Sequence, residues 1–196
     1  MSRKAVIVFL KNPEPGKVKT RLAKDLGDEK ALLVYQKLIA HTLDEVSKTK
    51  GEVFLFYDRA FPENQLFGVN YRLQEGSDLG EKMLRAFEEV FQDGVTKAVI
   101  IGSDCPEISS EIIHEAFQKL NPSDAVIGPA LDGGYYLLGL KKPHKELFLD
   151  KTWSIDSVFD RTLSDLKKLK WSYSLLPTLS DLDTIDDYRK FTEYHI

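Results

Sequence analysis

The chain has a single cysteine, Cys105, among its 196 residues, so no disulfide can form within it. It also has no Cys-x-x-Cys pair and no Cys/His spacing of the kind that binds zinc. The apolar run near the N-terminus, 5–10, is too short for a signal-peptide core or a membrane span. These absences lead us to expect a cytoplasmic protein without a membrane span.

An excess of positive charge is also missing. The net charge is -4 and the pI is about 5.6, which argues against a general nucleic-acid or anionic-membrane surface. Low-complexity stretches, internal repeats and linkers are absent as well. A chain of this length is typical of one domain, and we expect that domain to span 1–196. The oligomeric state is left open.

Strand and helix patterns alternate along the chain. We predict strands over 5–10, 53–57, 71–73, 98–101, 125–128, 135–140 and 173–176. We predict helices over 28–47, after Asp78, from Ser109 or Ser110 to 120, over 155–169 and from Thr184. This alternation indicates an α/β protein whose mainly parallel sheet is covered on both faces. A tight turn at 132–134 between two strands predicts a mixed sheet with one antiparallel member.

The strand 98–101 carries the most informative signal, because it ends abruptly in Gly102-Ser103-Asp104-Cys105-Pro106. Ligands of open α/β sheets bind beyond the carboxyl ends of the strands. A carboxylate at that point is well placed to hold a divalent cation, which in turn holds phosphate. Asp104 is therefore a candidate metal ligand and Ser103 a candidate nucleotide contact. The alternative is that the acid only caps the next helix.

A basic loop follows the first predicted strand and spans 11–20. Its candidate nucleotide-binding residues, taken together with Arg21, are cations and one glycine: Lys11, Gly16, Lys17, Lys19 and Arg21. Lysine and arginine bind phosphate, and glycine lets the backbone approach a ligand closely. The alternative is a solvated basic loop without a ligand.

Three weaker signals complete the candidate site. Asp132, with Gly133, Gly134 and Tyr135, could face an acceptor, although Asp-Gly-Gly is also an ordinary turn. Asp183 precedes the last predicted helix and could be a second metal ligand, although acids there also favour the helix dipole. Gly80 lies just after Asp78 and could contact a nucleotide, or could simply belong to a loop.

These segments, in this order, resemble a known family. They read F-x-K-x-P-x-x-G-x-x-K-T-R-L, D-L-G-E-K-M, G-S-D-C-P, D-G-G-Y-Y-L-L-G, W-S (Trp153-Ser154) and D-L-D-T-x-D-D-Y. The set is similar to the DUF2064 family, bacterial proteins described as glycosyltransferase-like within the nucleotide-diphospho-sugar transferase (GT-A) superfamily. Molybdopterin cytidylyltransferases and phospholactate guanylyltransferases belong to the same superfamily.

The resemblance implies an α/β/α sandwich with a mixed sheet. It implies that Asp104 is the central ligand of Mg²⁺ or Mn²⁺, with Asp183 as a less strongly supported candidate for the second ligand. It further implies that Lys17, Lys19 and Arg21 face the phosphates. The chain departs from the superfamily in two places, since it lacks a G-x-G/S-x-R-x-G loop and has no D-x-D at the central strand.

We therefore predict a metal-dependent transferase that uses a nucleotide sugar and a small-molecule acceptor. Lys19 and Arg21 would stabilise the phosphate leaving group, and Asp132 would bind the acceptor or act as acid or base. Tyr135 and Trp153 would form an aromatic wall for the acceptor, although such aromatics are more often core. The alternatives are a nucleotidyltransferase that uses CTP or GTP, a non-catalytic nucleotide-binding module, and a flavodoxin-like protein.

Overall fold

The structure is a computed structural model that describes residues 3–153 and 155–192. Ser154 of the Trp153-Ser154 pair lies outside the described residues. The strands are β1 (Lys4–Leu10), β2 (Glu52–Tyr57), β3 (Asn70–Leu73), β4 (Lys97–Ile101), β5 (Ala125–Pro129), β6 (Tyr135–Leu140) and β7 (Tyr173–Leu175). The helices are α1 (Thr20–Leu26), α2 (Asp28–Ser47), α3 (Leu79–Gln92), α4 (Ser110–Lys119), α5 (Val158–Lys168) and α6 (Ile185–Thr192), with a short 3-10 helix at Lys145–Leu147.

All seven strands form one sheet in the order β3-β2-β1-β4-β6-β5-β7. The pairs β3-β2, β2-β1, β1-β4 and β5-β7 are parallel. β6 is antiparallel to both of its neighbours, β4 and β5. The prediction of a mixed sheet with one antiparallel strand is therefore confirmed, and the carboxyl ends of β1 and β4 lie side by side.

The sheet is buried on both faces because its strands alternate between two apolar clusters. In β1, Ala5 and Ile7 face one cluster, which α3 and α5 cover. Val6, Val8 and Leu10 face the other cluster, which α2 and α4 cover. A parallel strand buried on both sides has the continuous apolar run seen at this position. The predicted α/β/α layering is confirmed.

A third apolar cluster lies outside these layers and joins the two ends of the chain. Leu22 of α1, Leu38 of α2 and Phe191 of α6 are buried in it together with Leu182. This packing holds the segment before α6 against the segment before α1. Two distant parts of the sequence are thereby brought to the same edge of the sheet.

The helix boundaries differ from the predictions in two places. α1 was not predicted, because its seven residues end at Gly27 (φ 81°) and are too few to display a helical period. α5 begins at Val158 rather than at Ile155. The residues before it form a turn, in which Val158 N–H donates to the Ile155 carbonyl and Phe159 N–H donates to the Gly133 carbonyl. None of the helices formed by the described residues has the length and apolar character needed to traverse a lipid bilayer.

Candidate functional site

Lys19, Asp104 and Asp183 meet at the carboxyl edge of the parallel strands. Lys19 precedes α1, Asp104 follows β4, and Asp183 precedes α6. Lys19 Nζ lies 2.5 Å from Asp104 Oδ1 and 3.0 Å from Asp183 Oδ1. The Lys19 side chain is 2% exposed, whereas those of Asp104 and Asp183 are 45% and 43% exposed. The ammonium therefore lies beneath two carboxylates that face solvent.

Lys19 has a backbone conformation that is uncommon for a lysine. Its φ and ψ of 48° and 41° lie in the left-handed region, which costs a non-glycine residue roughly 1 kcal/mol or more. Its carbonyl accepts the first hydrogen bond of α1, from Ala23 N–H at 2.8 Å. The sequence suggested that Lys19 faces the phosphates directly. In the structure, its ammonium forms ion pairs with Asp104 and Asp183, and contact with phosphate stays a prediction.

Opposing influences act on the pKa of Lys19. Burial lowers the pKa, because it disfavours a charged amine, but the negative charges of Asp104 and Asp183 raise it by more. The net effect is a raised pKa. Lys19 is therefore protonated at neutral pH and serves as a fixed positive charge.

Tyr35 ties the ends of β1 and β4 together. Its hydroxyl accepts hydrogen bonds from Lys11 N–H at 2.9 Å and from Ser103 Oγ at 3.1 Å. Burial raises the pKa of this phenol, so it stays a neutral partner. Ser103 is itself buried, and its described contact positions the strand end that carries Asp104. The prediction that Ser103 binds a nucleotide stays a prediction.

Asp183 is fixed by the residues on either side of it. Leu182 N–H donates to the Asp104 carbonyl at 2.9 Å, and the Leu182 side chain is buried. Thr184 and Asp187 form a reciprocal capping box: Thr184 N–H donates to Asp187 Oδ2 at 2.9 Å, and Asp187 N–H donates to Thr184 Oγ1 at 3.3 Å. The predicted start of this helix is confirmed.

Asp181 is a further acid of this site that the sequence-based assignment left out. Burial and the charges of Asp104, Asp132 and Asp183 raise its pKa from 3.8 to about 7, against the lowering effect of Lys19. The Asp181-Leu182-Asp183 tripeptide was the only signal in the sequence, and three residues are too few to be specific. The site thus places Asp104, Asp181 and Asp183 near the Lys19 ammonium, with Asp132 near Asp181.

The remaining cations of the basic loop are exposed. Lys11, Lys17 and Arg21 all face solvent, as does Gly16, whose φ of 70° favours glycine. Asn12 anchors the loop to the segment after β2: its N–H donates to Asp58 Oδ1 at 2.7 Å, and its Oδ1 accepts from Ala60 N–H at 3.1 Å. The loop is therefore held in place while its cations stay accessible.

The predicted turn at Asp132 is present, with the carboxylate exposed. Asp132 Oδ1 accepts from Gly134 N–H at 2.9 Å, and Gly133 has a φ of 87°. A Cβ at Gly133 would also overlap the Asp156 carbonyl. Glycine is therefore required at 133 for packing as well as for the turn. Acceptor binding by Asp132, Gly133 and Gly134 stays a prediction.

Gly80, Tyr135 and Trp153 pack against one another. A Cβ at Gly80 would overlap the Trp153 indole nitrogen and the Phe148 carbonyl. The Tyr135 and Trp153 rings meet edge to face, with centroids 6.5 Å apart. Burial raises the pKa of Tyr135. These contacts give Gly80 a packing role, and the predicted nucleotide and acceptor contacts of the three residues remain untested.

The donor set of the site suits a hard cation that also binds a ligand. Magnesium is commonly held by one or two carboxylates together with substrate phosphates rather than by a full protein cage. Asp104 and Asp183 supply such a pair. Their side chains are nearly half exposed, and both contact the Lys19 ammonium. The described residues form no group of three or more His, Cys, Asp or Glu arranged to hold a metal ion by themselves. The residues therefore fit a divalent cation that is completed by ligand oxygens.

Comparisons with solved structures bear out the fold. A protein from Desulfovibrio desulfuricans G20, provisionally named a nucleotide-diphospho-sugar transferase, is 30% identical with a TM-score of 0.93. The match covers 100% of this chain and 88% of that one. Rv0371c of Mycobacterium tuberculosis H37Rv, solved in complex with manganese, is 14% identical with a TM-score of 0.61 and 98% of each chain covered.

A third similar structure is CMP:2-keto-3-deoxy-manno-octonic acid synthetase complexed with CTP. It is 9% identical with a TM-score of 0.60, and 100% of both chains is covered. At such identities, the second and third likenesses show the fold alone. No curated protein matches the chain.

The profile of one protein family matches residues 42–155. That stretch contains Asp104 and Asp132 but neither Lys19 nor Asp183, which the structure alone connects to Asp104. The family is described as an uncharacterized protein conserved in bacteria. Its match covers more than half of the sequence and agrees with the resemblance of the ordered motifs. The chain belongs to the DUF2064 family and has the fold of the nucleotide-diphospho-sugar transferases.

Proposed function

We propose that this protein is a divalent-metal-dependent transferase that acts on a nucleotide-diphospho-sugar donor. The observation that carries the proposal is that Asp104 and Asp183 meet at the carboxyl edge of the sheet, where both contact the Lys19 ammonium. Ligands of open α/β sheets bind at that edge. The similarity to the D. desulfuricans protein, over the whole of this chain, supports the choice of donor.

In this proposal, Asp104 and Asp183 hold Mg²⁺ or Mn²⁺. The ion supplies charge stabilisation for a phosphate leaving group. The manganese complex of the Rv0371c structure supports a divalent cation in this fold. Lys19 neutralises and positions the two carboxylates from below, and Ser103 and Tyr35 fix the strand end that carries Asp104.

The phosphates of the donor would lie over the basic loop. Lys11, Lys17 and Arg21 are exposed there, and Arg21 can contribute a bidentate contact. Gly16 would let the backbone come close to the ligand, and Gly80 would contact the nucleotide. Removal of one such charged donor commonly lowers turnover by about 100-fold. Arg21→Ala is expected to show a loss of this size.

The acceptor would bind next to Asp132. The Asp132 carboxylate is exposed, and it lies close enough to Asp181 to raise the pKa of Asp181. In this proposal, Asp132 would bind the acceptor or act as a general base toward its hydroxyl. Gly133 and Gly134 would give that hydroxyl access. Tyr135 and Trp153, whose rings meet edge to face, would form an apolar wall for the acceptor.

Nucleotidyl transfer from CTP is the second candidate. It is favoured by the CTP complex of the synthetase, whose fold matches over the whole length of both chains. The ending Asp181-Leu182-Asp183-Thr184 is also similar to the D-x-D-T ending of several nucleotidyltransferases. In this reaction, Asp104 and Asp183 would hold the same cation.

Ligand binding in the presence of Mn²⁺ tests the proposal. A thermal-shift titration would compare nucleotide sugars with nucleoside triphosphates, and mass spectrometry would follow donor breakdown. A ligand bound only to the folded state at 100 times its Kd stabilises that state by about 2.7 kcal/mol. We expect a Mn²⁺-dependent shift with a nucleotide sugar.

Two variants control this experiment. Asp104→Asn should abolish the shift, whereas Asp186→Asn should leave it intact, because Asp186 lies on α6 with a side chain 78% exposed. A shift with CTP alone would favour nucleotidyl transfer. Binding without turnover would indicate a non-catalytic module. The proposal is wrong if no nucleotide produces a Mn²⁺-dependent shift.

A further inference from the structure

Lys19 is unusual because its charge is buried beneath the charges that it neutralises. It is the one charged residue in the buried class within 3–153 and 155–192. The carboxylates of Asp104 and Asp183 are nearly half exposed above it. A solvent-borne ligand therefore meets the carboxylates first and the ammonium last.

The geometry leaves the carboxylate pair only partly available to a metal ion. Asp104 and Asp183 each direct Oδ1 to Lys19 Nζ, at 2.5 and 3.0 Å. A cation arriving from solvent must bind the remaining oxygens close to the ammonium, or displace the ammonium. Binding beside the ammonium is opposed by charge repulsion at short range. Displacing the ammonium leaves a buried charged amine without a partner. Both courses weaken the binding of a free divalent cation.

We propose that Lys19 is a built-in counter-ion that makes metal binding at Asp104 and Asp183 conditional on phosphate. This inference rests on the proposed function of the site. The phosphates of a donor bring the negative charge that offsets the excess positive charge of metal plus ammonium. Metal and phosphate then bind together, and each raises the affinity of the site for the other by the same factor.

Mn²⁺ binding in the absence of nucleotide tests this idea without any assay of activity. Free Mn²⁺ would be measured by electron paramagnetic resonance with wild type and with Lys19→Met, which keeps the length of the side chain but removes its charge. We expect Lys19→Met to bind Mn²⁺ alone at least tenfold more tightly than wild type. Lys24→Met is the matched control, because Lys24 is an exposed lysine of α1 and its loss changes the net charge equally. It should leave Mn²⁺ binding unchanged.

Adding Asp104→Asn to Lys19→Met locates the effect, since the gain should disappear in the double variant. The inference is wrong if Lys19→Met binds Mn²⁺ no more tightly than wild type, or if Lys24→Met gains equally. Failure of Lys19→Met to fold even in millimolar Mn²⁺ would also contradict it, because the freed carboxylates should then acquire the metal as their counter-charge.

A parallel titration separates this inference from the proposed function. Wild type and Asp104→Asn would be titrated with Mn²⁺ in the presence of CTP and, separately, of a nucleotide sugar. If wild type binds Mn²⁺ and Asp104→Asn does not, the proposed metal site is supported. If Lys19→Met then shows no gain in Mn²⁺ affinity, only the inferred role of Lys19 is wrong. Equal binding by both proteins would contradict the proposed site itself.

Discussion

At the scale of single residues, the site is dominated by an imbalance of charge. Asp104, Asp132, Asp181 and Asp183 supply four carboxylates, and Lys19 supplies one ammonium among them. Burial, together with the charges of the other three carboxylates, disfavours the ionised form of Asp181 and raises its pKa. The metal-free protein should therefore carry its own electrostatic strain at neutral pH.

Asp181→Asn should remove part of this strain. The pKa of Asp181 in the folded protein, about 7, lies above its unfolded value of 3.8. The stability that the protonated Asp181 carboxyl contributes is therefore fully present below about pH 4. It is lost as the pH rises through 7 and the carboxyl ionises in the folded protein. At pH 8, the variant should exceed wild type by about 1 kcal/mol, or roughly 2–4 °C in Tm.

Thermal unfolding of both metal-free proteins at pH 5 and pH 8 measures this difference. The advantage of Asp181→Asn should be smaller at pH 5, where Asp181 is largely protonated in wild type. Asp186→Asn should show no such dependence, because Asp186 is exposed at the start of α6. An equal Tm difference at both pH values would contradict the assignment.

The sequence predicted Asp104 and Asp183 as candidate ligands of one metal ion, but the ion pairs that both form with Lys19 were not predictable. Lys19 has a left-handed backbone, which its residue type disfavours. Its contact with Asp183 also joins positions 164 residues apart. Residue type and local spacing carry no information about either feature.

At the scale of elements, the capping box of α6 is the part that orients a functional side chain. Asp183 directly precedes Thr184, and Asp183 N–H donates to Asp187 Oδ2 at 3.2 Å. The same carboxylate therefore begins the helix and holds the backbone of the candidate metal ligand. Sequence reasoning found this cap because capping boxes are local and depend only on residue type and spacing.

Thr184→Ala should cost both stability and ligand binding. Loss of an N-cap hydroxyl typically costs about 1 kcal/mol, here equivalent to roughly 2–4 °C in Tm. Because Asp183 would lose its fixed position, Mn²⁺-dependent nucleotide binding should also weaken. Calorimetric melting and titration calorimetry measure the two effects.

Ser109→Ala is the matched control for this variant. Ser109 caps α4, and its hydroxyl accepts from Ile112 N–H at 3.3 Å. Its loss should lower Tm by a similar amount and leave nucleotide binding unchanged. Equal weakening of binding by both variants would mean that general destabilisation, rather than the position of Asp183, is responsible.

At the scale of the whole molecule, the fold was predictable because each layer has its own pattern. Buried strands appear as apolar runs, the helices between them are amphipathic, and their alternation dictates a covered parallel sheet. The third cluster, formed by α1, α2 and α6, was not predictable, because it joins elements from opposite ends of the chain. That cluster brings the site residues together.

The connection between β2 and β3 contrasts with these layers. Phe61, Leu66 and Phe67 are exposed in it, and Phe67 is fully so. We expect limited chymotrypsin digestion to cut first after Leu66 or Phe67, since both residues lie outside every apolar cluster. Mass spectrometry of early time points identifies the cut, and Phe67→Ser should slow it. A first cut after Leu131, which is also exposed, would contradict this expectation.

The ion pair between Lys19 and Asp183 also determines when the site can be completed during protein synthesis. A ribosome produces Lys19 and Asp104 long before Asp183, so the nascent chain carries only part of the site while most of its sheet is already available to fold. Any chain that stops before Asp183 would bear the basic loop and Asp104 but not the second carboxylate. The candidate metal site is therefore expected to be complete only once Asp183 has been synthesised and has packed against Lys19.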